Sequence, residues 1–214
     1  MAETNIFSSD GRLLQLEYAS DAIKLGSIIL GIKTKYCVVL FLEKRKDDIL
    51  NENIIGQKMI KFSKFLGCTV SGLTSDARLL IEQIQTKFEN TFFTSNQFSG
   101  IENFGRIILN LASYIEESDE RKIFKNRPLG VAFLVGGLDN DGFTLLQIDP
   151  SGILKKKDFA SLGSGQDESA LIIKEGYRKN MSLNESLVLG KKTLKLLTEK
   201  NFEYTTHNIF SITK

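Results

Sequence analysis

From residue 13 onward, apolar side chains recur at helical spacing in two adjoining rows. One row is Leu13, Leu16, Ala19 and Ile23, and the other is Leu14, Tyr18, Ala22 and Leu25. This predicts a helix near the start of the chain. Ser8, Ser9 and Asp10 are residues able to cap it, Gly11 lets the chain turn into it, and Gly26 is placed to close it in a left-handed conformation. Two apolar rows need two covering surfaces, so the helix is expected to lie between partners rather than on one core. An internal core helix fits the same periodicity.

Beyond Gly26 the pattern changes from helical to strand-like. Runs 27–33 and 36–43 are dense in Ile, Leu and Val and read as a hairpin with both faces covered. Residues 44–57 are polar and charged, a loop before a strand at 59–62, and 67–72 is a further strand ended by glycine. Helical spacing returns at Leu79, Leu80, Ile84 and Phe88 behind a cap at Thr74 to Asp76. It returns again at Ile101, Phe104, Ile108, Leu111 and Ile115, within 101–117. The charged stretch 116–127 reads as a surface connection.

Strands at 129–135, 143–148 and 153–157 are separated by Asp139-Asn140-Asp141-Gly142 and Asp149-Pro150-Ser151-Gly152, whose turn chemistry predicts a meander. A short strand at 158–162 leads through Gly163-Ser164-Gly165 into a helix with Gln166, Asp167 and Glu168 in its first turn. Ser182 and Glu185 form a capping box for a last helix carrying Leu187, Leu194 and Leu197, and 206–212 reads as a closing strand. Strands clustered together, then helices clustered together, predict an α+β fold with helices outside antiparallel sheets. Two such sheets with helix pairs outside make a four-layer αββα sandwich.

Composition narrows the functional classes. The chain has 214 residues, 42% of them hydrophobic, enough for one large core. A net charge of +2 implies no general attraction to nucleic acid or to an anionic membrane. No run reaches membrane-spanning length and the N-terminus lacks a signal pattern, so a cytoplasmic or nuclear location is expected. Cys37 and Cys68 sit in apolar, strand-like runs and are expected to be buried and reduced. The Asn-x-Ser triplets at Asn180 and Asn184 are then chance matches. His207 is the single histidine, so no multi-histidine metal site or histidine triad is available, and no cofactor or metal is expected.

The stretch 7–27, FSSDGRLLQLEYASDAIKLGS, resembles the N-terminal signature of proteasome α subunits, Ser-Pro-Asp/Glu-Gly-Arg-Leu-Phe-Gln-Val-Glu-Tyr-Ala. Ser8, Asp10, Gly11, Arg12, Leu13, Gln15, Glu17, Tyr18 and Ala19 match it, and Ala22 to Ser27 is most similar to the type-5 branch. The similarity continues through Glu43-Lys44-Arg45, Gly67-Cys68, Ser71-Gly72-Leu73, Arg127-Pro128-Leu129-Gly130-Val131, Asp149-Pro150-Ser151-Gly152 and Leu162-Gly163-Ser164. The resemblance implies one domain over 1–214, with a gate tail and helix in 1–26 and a sandwich of the N-terminal nucleophile hydrolase type in 27–214. It further implies a non-catalytic subunit of the 20S core particle, a threonine-protease complex of ubiquitin-dependent protein degradation. Its partners would be neighbouring α subunits in a heptameric ring, β subunits carrying the peptide-cleaving sites, and the C-terminal tails of a regulatory particle or other activators.

By the same resemblance, Lys58, Gly26, Ser71, Gly72 and Leu73, with Glu17 nearby, line a pocket for those tails, where an ammonium suits a terminal carboxylate. Ser8, Ser9, Asp10, Gly11 and Tyr18 correspond to the turn that holds the gate tail. Three departures stand out. Ser9 replaces proline and frees a fixed φ; the Tyr-Asp-Arg cluster that normally precedes the turn is lacking; and Leu14 replaces phenylalanine.

An enzyme is the competing reading. Ser27 stands where catalytic relatives expose their nucleophile, after Gly26, with Glu43 and Lys58 near the positions of the acid and lysine. Against it, 1–26 is a well-specified helix rather than a flexible leader, and charged residues at strand ends are expected to be solvated. Gly163-Ser164-Gly165 reads as the start of a helix, because Asp167 and Glu168 repel a phosphate and no P-loop lysine follows. Lys44 to Lys46 and Lys155 to Lys157 read as solvated basic turns and edges.

Overall fold

The structure, a computed structural model, describes residues 7–44, 58–95, 100–112, 128–198 and 206–213. Helix α1 spans Leu14–Lys24, followed by β1 (Ile29–Lys33), β2 (Cys37–Lys44), β3 (Met59–Ser63) and β4 (Leu66–Gly72). Helices α2 (Thr74–Ser95) and α3 (Ile101–Ala112) precede β5 (Val131–Asp139), β6 (Gly142–Ile148), β7 (Leu154–Lys157) and β8 (Phe159–Leu162). Helices α4 (Gln166–Gly176) and α5 (Leu183–Thr198) and strand β9 (Thr206–Thr213) complete the order. The polar loop read at 44–57 lies, from residue 45 on, outside the described residues, as do the connection at 116–127 and the continuation of α3 to 117; residue 44 itself ends β2.

Two antiparallel sheets form, one ordered β8-β1-β2-β9 and the other β3-β4-β5-β6-β7. Every strand pair in both is antiparallel. The meander over β5, β6 and β7 is as the turn chemistry predicts. The next pairing is not local: β8 leaves that sheet and pairs with β1 in the other.

Because side chains alternate across a strand, each strand feeds two layers at once. In β2, Val38, Leu40 and Leu42 face the other sheet, while Cys37, Val39 and Phe41 face α4 and α5. In β5, Ala132 and Leu134 face between the sheets, while Val131, Phe133 and Val135 meet α2 and α3. Three apolar layers result, so the molecule is the four-layer αββα sandwich. Leu30, Ile32, Val39, Leu40 and Phe41 are fully buried, and each such side chain contributes about 1.5–3 kcal/mol of transfer free energy. Cys37 and Cys68 are buried and free, in line with the sequence reading. Burial pushes the Cys68 thiol up to about 12.

The helix termini divide into those the sequence reads well and those it does not. At α5, the Ser182 N–H donates to Glu185 Oε2 (2.7 Å) and the Glu185 N–H to Ser182 Oγ (3.3 Å), the reciprocal capping box. At α1 the expected caps do not act. The N-cap is Leu13, with no side-chain cap, and Ser8 closes a turn of its own instead. Ser8 Oγ accepts from the Arg12 N–H (3.1 Å), and the Ser8 carbonyl accepts from the Gly11 N–H (2.9 Å). Nor does Gly26 end α1 in a left-handed conformation: Leu25 is the C-cap, right-handed, and Gly26 is absent from the positive-φ glycines.

Candidate functional site

Helix α1 packs on β4 and β5. Ala19 and Ile23 of its first apolar row are buried, and Ile23 joins the layer between the sheets. The second row faces outward: Tyr18 is 65% and Leu25 76% exposed, with Leu14 at 38%. Phe7 and Leu73 are further exposed apolar side chains. One face of α1 is therefore covered by its own chain and the other is not, which is the division that two apolar rows predict.

Where α1 gives way to β1, the chain passes through a tight polar junction. A Cβ at Gly26 would lie 2.5 Å from the Gly72 nitrogen and 2.5 Å from Ser71 Oγ. Close backbone approach, not helix termination, is why glycine stands there. Gly72 itself has φ of 120°, and a Cβ would fall 2.0 Å from the Gly130 carbonyl oxygen.

Both carbonyls of the junction are held. The Ser164 N–H donates to the Gly26 carbonyl (3.0 Å), and the Ser71 hydroxyl donates to the Ser27 carbonyl (2.8 Å). Asp76 Oδ2 accepts from the Gly130 N–H (3.1 Å), and the Leu73 N–H donates to the Gly130 carbonyl (2.9 Å), tying the start of α2 to the chain entering β5. Asp76, read from sequence as part of the cap of this helix, is only 2% exposed and serves as this tether.

Lys58, just before β3, donates from Nζ to Ser27 Oγ across 3.2 Å. Glu43, on β2, accepts the Ile28 N–H at Oε2 (3.1 Å) and donates its own N–H to the Ile28 carbonyl (2.9 Å). The expectation that Glu43 and Lys58 are solvated is overturned: each is 9% exposed, and Ser27 is 3% exposed. A buried charge is costly unless hydrogen-bonded, and the sandwich meets that need with the hydroxyl and amides at the head of β1.

The sequence-predicted pocket residues Gly26, Ser71, Gly72 and Leu73 thus converge, and Lys58 joins them through Ser27. Ser71 is 2% exposed with its proton given to the Ser27 carbonyl, a buried donor at the junction. Glu17 is engaged on α1 by Arg12, whose Nε donates to Glu17 Oε1 at 2.8 Å and whose Nη2 bonds Oε2. That bond holds the Arg12 guanidinium above its ordinary range. Of the residues expected in a gate turn, Ser8 to Gly11 form the hydrogen-bonded turn ahead of α1, and Tyr18 stands outward. Sequence reasoning missed the bonds made by Asp76, Ser164 and Ser27, since none has a local signature.

The Ser27 nitrogen is a peptide amide here and its hydroxyl accepts from the Lys58 ammonium; N-terminal nucleophile chemistry would need the free α-amine that only cleavage after Gly26 releases. Among the described residues there is no group of three or more His, Cys, Asp or Glu side chains able to hold a metal ion. No described helix is long and apolar enough to cross a membrane.

Comparison with known proteins agrees along nearly the whole chain. The family model described as "Proteasome subunit" matches residues 23–211. The chain is 38% identical over 200 residues to the probable proteasome subunit alpha type-5 of Schizosaccharomyces pombe, covering 93% of this chain and 81% of the relative. It is 37% identical over 196 residues to proteasome subunit alpha type-5 of Caenorhabditis elegans, covering 92% and 79%. Against the alpha type-5 subunit of Drosophila melanogaster, identity is 34% over 212 residues, covering 98% and 87%.

Proposed function

The chain belongs to the proteasome subunit family, and from that premise we propose that it is a non-catalytic type-5 subunit of the α ring of the 20S core particle. Membership implies assembly with other proteasome subunits. The observation that carries the finer reading is the division of α1: one apolar row is buried in the chain, while Tyr18 and Leu25 stand exposed. A row of that kind fits a neighbouring α subunit in a heptameric ring. The β subunits would lie on the far side of the sandwich from this surface and carry the cleavage sites. The work is done in the cytoplasm and nucleus.

In this reading Lys58 is the cationic end of a docking pocket for an activator's C-terminal carboxylate, walled by Gly26, Ser71, Gly72 and Leu73. The turn of Ser8, Ser9, Asp10 and Gly11 sets how the gate tail leaves α1. Its hydrogen bonds run through Ser8. Lys58→Ala in a reconstituted particle is expected to weaken activator association in sedimentation while seven-membered rings still form by native mass spectrometry. Activator binding that survives at full strength refutes the docking role. An intact mass corresponding to a chain starting at Ser27 refutes the non-catalytic reading.

A further inference from the structure

We infer that Ser27 is a positioning residue for Lys58, and that its hydroxyl fixes the ammonium in the place where a terminal carboxylate is received. The inference rests on the docking reading of Lys58 and adds a residue that reading does not contain. Its ground is one geometric chain. Lys58 lies ahead of the edge strand of one sheet, and Ser27 lies at the head of β1 in the other, so the 3.2 Å bond between Nζ and Oγ spans the two sheets.

A free lysine side chain samples many rotamers, and holding it in one costs entropy that must be recovered on binding. Here the acceptor is itself immobile. The peptide carbonyls on either side of Ser27 are clamped by the Ser164 N–H (3.0 Å) and the Ser71 hydroxyl (2.8 Å), and the next amide, that of Ile28, is held by Glu43 (3.1 Å). The backbone that carries Oγ is therefore fixed, and the bond from Nζ ties the ammonium to that fixed frame. The hydroxyl that a catalytic relative would use as nucleophile serves as a fixed acceptor.

An ammonium carries three N–H groups, so a bond to Ser27 is compatible with donation to an incoming carboxylate. The ligand class is accordingly a peptide with a free α-carboxylate, against which the same peptide with a C-terminal amide is the control. Ser71 reaches this chain through the Ser27 carbonyl.

The test uses reconstituted particles carrying the wild-type chain, Ser27→Ala, Ser27→Thr or Lys58→Ala. The probe is a fluorescein-labelled Gly-Ser-Gly-Ser-Leu-Leu peptide, with either a free carboxylate or an amide end. Binding at this site is resolved by how far the peptide protects Lys58 from acetic anhydride, read by mass spectrometry of the digested chain. Ser27→Ala is expected to weaken protection by the carboxylate peptide about tenfold, to leave the amide peptide unchanged, and to raise the acylation rate of unliganded Lys58. Ser27→Thr, which keeps the hydroxyl, restores the wild-type values. If Ser27→Ala particles do not assemble, Ser27→Cys, of similar size with a weak acceptor, is expected to show the same loss.

Unchanged or tighter carboxylate binding in Ser27→Ala overturns the positioning role, provided that total carboxylate-specific binding drops in Lys58→Ala. If Lys58→Ala leaves that total binding unaltered and the peptide never protects Lys58, the docking reading itself falls. The two failures are therefore distinguishable.

Discussion

Helices α1 and α3 are written in the same code and end in opposite circumstances. In α3, Ile101, Phe104 and Ile108 recur at helical spacing and are buried against the sheet of β4, β5 and β6. In α1 the row of Ala19 and Ile23 is buried likewise, but a second row beside it is left at the surface. The difference is one of supply: α3 needs one surface and its own chain provides it, while α1 needs two and its chain provides one. An apolar row that folding leaves uncovered marks a surface made for another molecule, and spacing alone does not distinguish it from a core row.

The heaviest loss should come from removing an α3 anchor. Phe104 is 1% exposed and packs edge-to-face with Phe62 and Phe88, at centroid distances of 4.7 and 5.5 Å. Phe104→Ala is expected to cost about 3–5 kcal/mol by the transfer and cavity terms together, read as a lower urea midpoint. Cys68 belongs to the same layer and its thiol is pushed up to about 12, so its alkylation at neutral pH should accelerate with that loss. A Cys68 that stays protected while the midpoint falls would show that the damage lies elsewhere.

A smaller effect contrasts the termini. Ser182→Ala removes the box at α5 and is expected to cost about 1 kcal/mol, whereas Ser9→Ala ahead of α1 should be nearly neutral, because no side chain caps that helix. The α5 box is also pH-dependent. The backbone N–H and hydroxyl of Ser182 hold the Glu185 carboxyl below its ordinary range. Its contribution is therefore present above the ordinary glutamate pKa and fades as pH falls through the lowered folded value. The protection factor against amide hydrogen exchange in the first turn of α5, taken relative to the intrinsic rate at each pH, should fall on that acid limb, and an unchanged protection factor counts against the box.

Smallest in stability, yet most telling about the two helices, is the pair Tyr18→Ser and Leu25→Ser. Both side chains are mostly exposed, so the unfolding free energy from urea titration should change by no more than about 0.5 kcal/mol, with Cys68 still protected. Incorporation into rings, measured by native mass spectrometry, should fall instead. A large loss of chain stability would mean that the second row is core after all.

Much of the fold is legible in the order of residues, because its signals are local. The meander, the α5 capping box, the two buried thiols and the two rows of α1 all stem from residues close in the chain whose chemistry acts over short distances. Less is legible at the site. Gly26 has the pattern of a helix terminator and is a point of backbone contact with Gly72 and Ser71, which lie far from it in the chain. Glu43 and Lys58 have the pattern of solvated residues because charges at strand ends usually are, and their burial depends on amides and a hydroxyl at the head of β1. Asp76 has the pattern of a capping residue and is a tether to Gly130.

From the order of residues alone come the elements, their antiparallel layering and the presence of one helix with more apolar surface than a single core can take. Periodicity and turn chemistry are short-range and are written residue by residue. Tertiary contact settles the rest: which row of α1 is covered, that β8 returns to the first sheet, and that Lys58 meets Ser27. Those outcomes depend on which surfaces are brought within a few ångströms of one another, and that proximity exists only once the two sheets have closed.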